Sequence, residues 1–220
     1  MQNAFMSMFP APEQEKIAAA VAEAEKVTSG EIVPYVVGLS DHYEVAEWRG
    51  GATAGILAFA LLSFARTRGG DWSGFDPVWI GLITLLAAGC AMLASRFIPV
   101  LRRLFAGRHL MTRRVEQRAA QAFMSEEVFA TPGRTGILIF LSMLERRVVV
   151  IGDAGIHSKV RQEEWQGIIE SVVRSIRQGK PADGLVDAIR RCGALLAAHG
   201  LGRVPGSKDE IADNLRIRNE

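Results

Sequence analysis

The chain has 220 residues, room for one domain of ordinary size and an additional segment. Its 26 basic and 24 acidic side chains leave a net charge of +2, which excludes a nucleic-acid binder working through bulk positive charge. Mean hydropathy is +0.14 although 23% of residues are charged, so the apolar residues have to be concentrated in particular stretches.

The N-terminal stretch MQNAFMSMFPAPEQEK has neither a basic leader nor a long apolar run, and a cleaved signal peptide is not expected. Pro10 and Pro12 mark the start of a helix over 12–29, with Ile17, Ala20, Val21, Ala24 and Val27 on one face. Gly30 stops it. EIVPYVVG at 31–38 reads as a strand, and Pro34 within it predicts an edge position or a bulge.

Two apolar runs follow. GGATAGILAFALLSFA at 50–65 and PVWIGLITLLAAGCAMLAS at 77–95 carry no charge. At the helical rise they reach about 24 Å and about 28 Å, close to a hydrocarbon core of about 30 Å. Together they read as a transmembrane hairpin over 46–104, with spans near 48–66 and 77–97. Trp48, Trp72 and Trp79 stand where interfacial aromatics belong. Between the runs, Arg66 and Arg68 are balanced by Asp71 and Asp76. Outside them stand Arg49, Arg96, Arg102, Arg103 and Arg108, which predicts cytoplasmic flanks and termini and an outward loop. Arg102, Arg103 and Arg108 are the candidate lipid-headgroup residues. The bilayer is thus the first expected partner, with no nucleic acid. Gly51 and Gly55 form a GxxxG whose expected use is packing within the hairpin.

A charged amphipathic helix is expected over 112–129. GILIFLS at 136–142 and RVVVI at 147–151 are unbroken apolar runs, suited to strands buried on both faces and joined in a hairpin through Leu144, Glu145 and Arg146. Helices over 162–178, with Trp165, Ile168, Val172 and Ile176 inward, and over 182–199, with Leu185, Ile189, Cys192 and Leu196 inward, complete the pattern. Neither Cys90 nor Cys192 has metal-ligand spacing, which suits a reducing compartment. Residues 201–220 read as a polar surface tail. The order predicts a compact α/β/α sandwich with a small mixed sheet, built from 10–45 and 108–200 and interrupted by the helical hairpin.

The segments TSGEIVPYVV (28–37), RTGILIFLSMLERRVVVIGDAGI (134–156), Trp165 and ADGLVDAIRRCGALLAAH (182–199) resemble the TPM domain family, named for its thylakoid, photosystem-repair and receptor-modulator members. The chain is most similar to the bacterial branch with two spans inserted after the first strand, whose tail carries a motif like DEIADNL (209–215). The resemblance implies an inner-membrane location and an α/β/α sandwich. Some members have been proposed as acid phosphatases, some bind divalent metal, and others are accessory factors of membrane complexes.

Three carboxylates are the metal candidates: Glu31, Glu145 and Asp153. The loop before the second strand, however, carries Arg134 and no acid, and Glu145 stands beside Arg146 and Arg147, a poor setting for a hard cation. No cofactor is expected. The catalytic candidates are Asp153, His157 and Glu145; Asp153 and His157 flank a Gly-rich loop after a strand, where open sheets place ligands and where a histidine can exchange protons near neutral pH. The competing reading makes that loop a turn of the fold. No nucleophile triad, Walker loop, CxxC or HExxH occurs. The expected function is a non-catalytic accessory or scaffold for another membrane protein, with a metal-assisted phosphatase as the alternative.

Overall fold

The structure is a computed structural model that describes residues 8–69, 76–131, 133–202 and 211–218. Trp72, Asp71 and the first residues of the DEIADNL motif lie outside them. The chain divides into two compact units, Met1–Ser40 with Arg113–Glu220, and Asp41–Thr112.

The first unit is built on one sheet. Its strands are β1 (Glu31–Val37), β2 (Gly136–Ser142), β3 (Arg147–Gly152) and β4 (Arg216–Arg218), in spatial order β3-β2-β1-β4. β1 runs parallel to β2 and to β4, while β2 and β3 form an antiparallel hairpin. The chain's helices are α1 (Ala11–Glu25), α2 (Glu44–Gly69), α3 (Pro77–Phe97), α4 (Pro99–Ala106), α5 (Arg108–Ser125), the single turn α6 (Ala154–His157), α7 (Gln162–Arg177) and α8 (Pro181–Ala198). The expected α/β/α sandwich with a small mixed sheet is what the chain forms.

Strand alternation sorts the core into two layers. Ile32, Val36, Ile137, Ile139 and Leu141 face α1, α7 and α8, where Ile17, Val21, Trp165, Val172, Leu185, Ile189 and Leu196 close over them. Val33, Tyr35, Val37, Leu138 and Phe140 face α5, packing on Val115, Ala119 and Ala122. Both faces of β1 and β2 are therefore covered, which is why their sequences are unbroken apolar runs. The same expectation fails for β3. It is an edge strand, and five of its six residues keep partial solvent exposure.

Pro34 lies where β1 is an edge. β2 lines the whole of β1, but β4 covers only Tyr35–Val37, so the missing Pro34 N–H leaves no rung of the β4 ladder unmade. The C-terminal tail needs a correction: Arg216–Arg218 is a strand of the sheet rather than surface coil.

β1, α5 and β2 make a parallel crossover, and Asp41–Thr112 enters it after β1 and ends within the first turns of α5. In that second unit α2 and α3 pack as a helical pair. Cβ atoms added at Gly51 and Gly55 would lie 3.1 Å from the Ala88 carbonyl oxygen and 3.3 Å from the Ala88 methyl. The GxxxG therefore serves the approach of α2 to α3. Asp76 caps α3 by accepting from the Val78 N–H at 2.9 Å, and Pro77 occupies its first turn, where a missing N–H does no harm.

Candidate functional site

The nominated side chains lie at two opposite ends of the sheet. Register sets this directly: Ile137 pairs with Gly152 at one end of the β2–β3 hairpin, and Ser142 pairs with Arg147 at the other. Asp153 follows Gly152, whereas Glu145 sits in the turn beyond Ser142. About five strand steps at roughly 3.3 Å each separate the two carboxylates, about 17 Å. A hydrolase using Asp153, His157 and Glu145 together would need them to converge, and Glu145 lies at the far end of the sheet from the other two. The open-sheet argument also fails for Asp153, because β3 is antiparallel: its C-terminal end coincides with the N-terminal ends of β1 and β2.

At that N-terminal end, Asp153 is buried, at 5% exposure. One oxygen accepts from Arg134 Nη2 at 3.0 Å and from the Ala154 N–H at 2.7 Å, and the other lies 2.7 Å from Arg134 Nε. The Asp153 N–H donates to the Gly136 carbonyl at 2.9 Å, and the Gly155 N–H to the Arg134 carbonyl at 2.9 Å. Gly155 passes so close to the preceding loop that a Cβ there would lie 2.5 Å from the Gly133 oxygen. Thr131 Oγ1 accepts from the Thr135 N–H at 2.9 Å, and Thr135 Oγ1 donates to the Ser29 carbonyl at 2.8 Å. The Gly-rich loop is thus clamped onto Gly133, Arg134 and Gly136. Its glycine is required by close approach, and its aspartate is neutralised by Arg134. His157 ends α6 with its side chain exposed. Glu31 begins β1 in register with Gly136, at the same end as Asp153.

At the opposite end, Glu145 is also 5% exposed. It accepts from the Ser40 N–H at 3.0 Å and from the Ser142 hydroxyl, and the Ser40 and Ser142 hydroxyls are 2.8 Å apart. The Met143 and Leu144 N–H groups donate to the Val37 and Gly38 carbonyls at 3.1 and 2.9 Å. This is a clasp joining the end of β1 to the β2–β3 turn. A cation would have to displace a guanidinium at Asp153 or two donors at Glu145, and the donor set does not fit one. Among the described residues, no three His, Cys, Asp or Glu side chains converge as ligands.

Sequence reasoning missed Ser40, Ser142 and the pairing of Arg134 with Asp153. The signal available was a serine closing an apolar run three residues before an acid. It also missed Glu126, whose two oxygens each lie 3.3 Å from an arginine of β4, Arg216 Nε and Arg218 Nη2. No local pattern connects positions 90 residues apart.

Of the headgroup candidates in the hairpin unit, Arg102 is the least accessible. It is buried and donates to the Arg96 carbonyl. Arg103 is half-buried and Arg108 exposed. Arg49 Nη1 donates to the Phe105 and Ala106 carbonyls at 3.1 and 3.3 Å, capping α4. α2 and α3 are long and apolar enough to cross a membrane: over their most apolar stretches mean hydropathy is 1.3 and 2.0, and only 17% and 11% of those stretches is buried by the protein.

A three-layered α/β/α domain, opened in its β1–α5 crossover by a pair of exposed apolar helices, is the class of protein these observations define. Residues 106–195 match the model of the TPM domain family. The match begins after the hairpin, so β1 and the two apolar helices lie outside it. Among solved structures, the NMR structure of the BA42 protein from the psychrophilic bacterium Bizionia argentinensis is similar, with a TM-score of 0.58 and 20% identity over 95% of this chain and 94% of that one. At that identity the likeness speaks for the fold. No curated protein matches the chain.

Proposed function

We propose that the chain is an integral protein of the bacterial inner membrane, anchored by α2 and α3, with both termini and the TPM domain in the cytoplasm. The domain acts by binding, as a non-catalytic accessory or scaffold in the assembly or quality control of another membrane protein. The observation that carries this reading is the double use of surface. Ile56, Leu57, Leu61, Leu85, Leu86 and Leu93 are exposed on the two long helices, while the acids nominated as a reaction centre, Asp153 and Glu145, are engaged in holding loops together. Apolar side chains at that density are covered by lipid or protein in the cell. Trp48 and Trp79, exposed near the span ends, suit the interface, and the arginine asymmetry of the flanks supports cytoplasmic termini.

A metal-assisted phosphatase is the competing reading, and the separation of Asp153 from Glu145 counts against it. The test is hydrolysis of a generic phosphate ester by the purified, detergent-solubilised protein with calcium, magnesium, manganese or zinc, beside His157→Ala and Glu145→Gln. His157 is exposed, so its replacement leaves the fold intact. The binding reading expects no turnover above background in any of the three. Turnover that either variant abolishes would replace it with the hydrolase.

A further inference from the structure

Between the second apolar helix and the TPM domain stands α4, eight residues with two unlike faces. Its limits are sharp. Ile98 is extended (φ −97°, ψ 108°) and Pro99 starts the helix, so the axis of α3 is broken there. Gly107, with φ 79° and ψ 150°, ends it in a conformation that favours glycine. One face is fixed to the hairpin: Ala106 is buried, Arg102 reaches back to the Arg96 carbonyl, and Arg49 of α2 satisfies the last carbonyls. Gly50 leaves the space that Ser95 and Phe105 occupy.

The other face carries Val100 and Leu104, one turn apart, at 70% and 69% exposure. Phe97 and Ile98, just before it, are exposed as well. Two features say what covers this face. It continues directly from the apolar surface of α3, within three residues of that helix's end. The segment 77–112 also contains no aspartate or glutamate, while Arg96 and Arg108 are exposed just before and just after α4 in the chain. An apolar face flanked by arginines, on a stretch of chain without acids, is the pattern of a helix lying in the surface of an anionic bilayer.

We propose that α4 is such a surface helix, with Val100 and Leu104 seated at the acyl boundary and Arg96 and Arg108 at the level of the lipid phosphates. This rests on reading α2 and α3 as membrane spans. It adds a third lipid contact that sets the depth at which the chain leaves the bilayer before α5.

The test uses the full chain in phosphatidylcholine–phosphatidylglycerol vesicles with an environment-sensitive thiol dye. Cys192 does not compete for the label, because burial pushes its thiol up to about 12. One sample carries dye on native Cys90, exposed in α3; the other carries it on Leu104→Cys in a Cys90→Ala background. Lipid quenchers sit either near the headgroup end of the acyl chain or near its methyl end, and iodide is the aqueous quencher. The expected result is a blue-shifted position 104 that loses emission to the shallow quencher and little to the deep one, beside a position 90 that loses emission to the deep one. Iodide quenching at 104 with lipid quenching at 90 overturns the proposal and leaves the spans standing. Shielding of 104 from iodide and from both lipid quenchers also overturns it, since protein then covers the face. Absence of lipid quenching at position 90 removes the spans themselves.

Discussion

Asp153 carries the sharpest contrast between a reactive and a structural carboxylate. Its two oxygens meet one guanidinium and one backbone N–H, and Gly155 beside it has no room for a side chain. Replacing it with alanine removes the acceptor for Ala154 and the counter-charge of Arg134. The expected loss is about 1–2 kcal/mol, mostly from the lost acceptor, since Arg134 is more than half exposed and its ion pair is screened. Asp153→Asn keeps an acceptor oxygen and loses roughly half as much. Urea unfolding of the three proteins in one detergent measures this; an alanine variant as stable as the parent would show that Asp153 is kept for something other than the turn. Residue types were legible here and pairings were not. GDAG announces a turn through its glycines, but Arg134 is 19 positions away and nothing local ties it to the aspartate. Ser40 and Glu145 are 105 positions apart, and they meet only because β1 and β2 lie in register.

Among the elements that sequence reasoning did not find, β4 is the one that belongs to the sheet. Three residues, Arg-Ile-Arg, have no periodicity to read, and their strand exists because the end of β1 offers an unpaired edge. Glu126 anchors it, accepting from both Arg216 and Arg218 at about 16% exposure. Tyr35 lies beneath: burial pushes its phenol up, and Arg118 and Arg218 pull it the other way. Glu126→Gln leaves both guanidiniums without a counter-charge. Its expected effect is local, on the order of 1 kcal/mol, or about fivefold faster amide exchange in 216–218 and at the β1 edge they cover. Exchange mass spectrometry reads it, and equal acceleration across β2 would contradict a local anchor. The α2–α3 pair was legible for the opposite reason, since hydropathy over about twenty residues needs no tertiary context. β1 and β2 were legible because burial on both faces writes itself as an unbroken apolar run, while β3 shows that the same run also suits an outer strand.

On the scale of the whole molecule, the β1–α5 crossover is the feature that decides what kind of protein this is. A parallel pair needs a long connection in any case, and its loop is the place where a domain accepts an insertion without loss of core packing. The α/β unit keeps both core layers although the chain leaves it for Asp41–Thr112 and returns. The direct measurement is sidedness. Arg68→Cys and Lys180→Cys variants, exposed at the end of α2 and at the start of α8, are treated in sealed inner-membrane vesicles with a membrane-impermeant thiol reagent, before and after detergent. The account predicts opposite sides: in inverted vesicles Lys180→Cys reacts at once and Arg68→Cys only after detergent. Immediate reaction of both, or release of the chain from the vesicles by alkaline carbonate, would contradict a membrane hairpin set within a cytoplasmic domain.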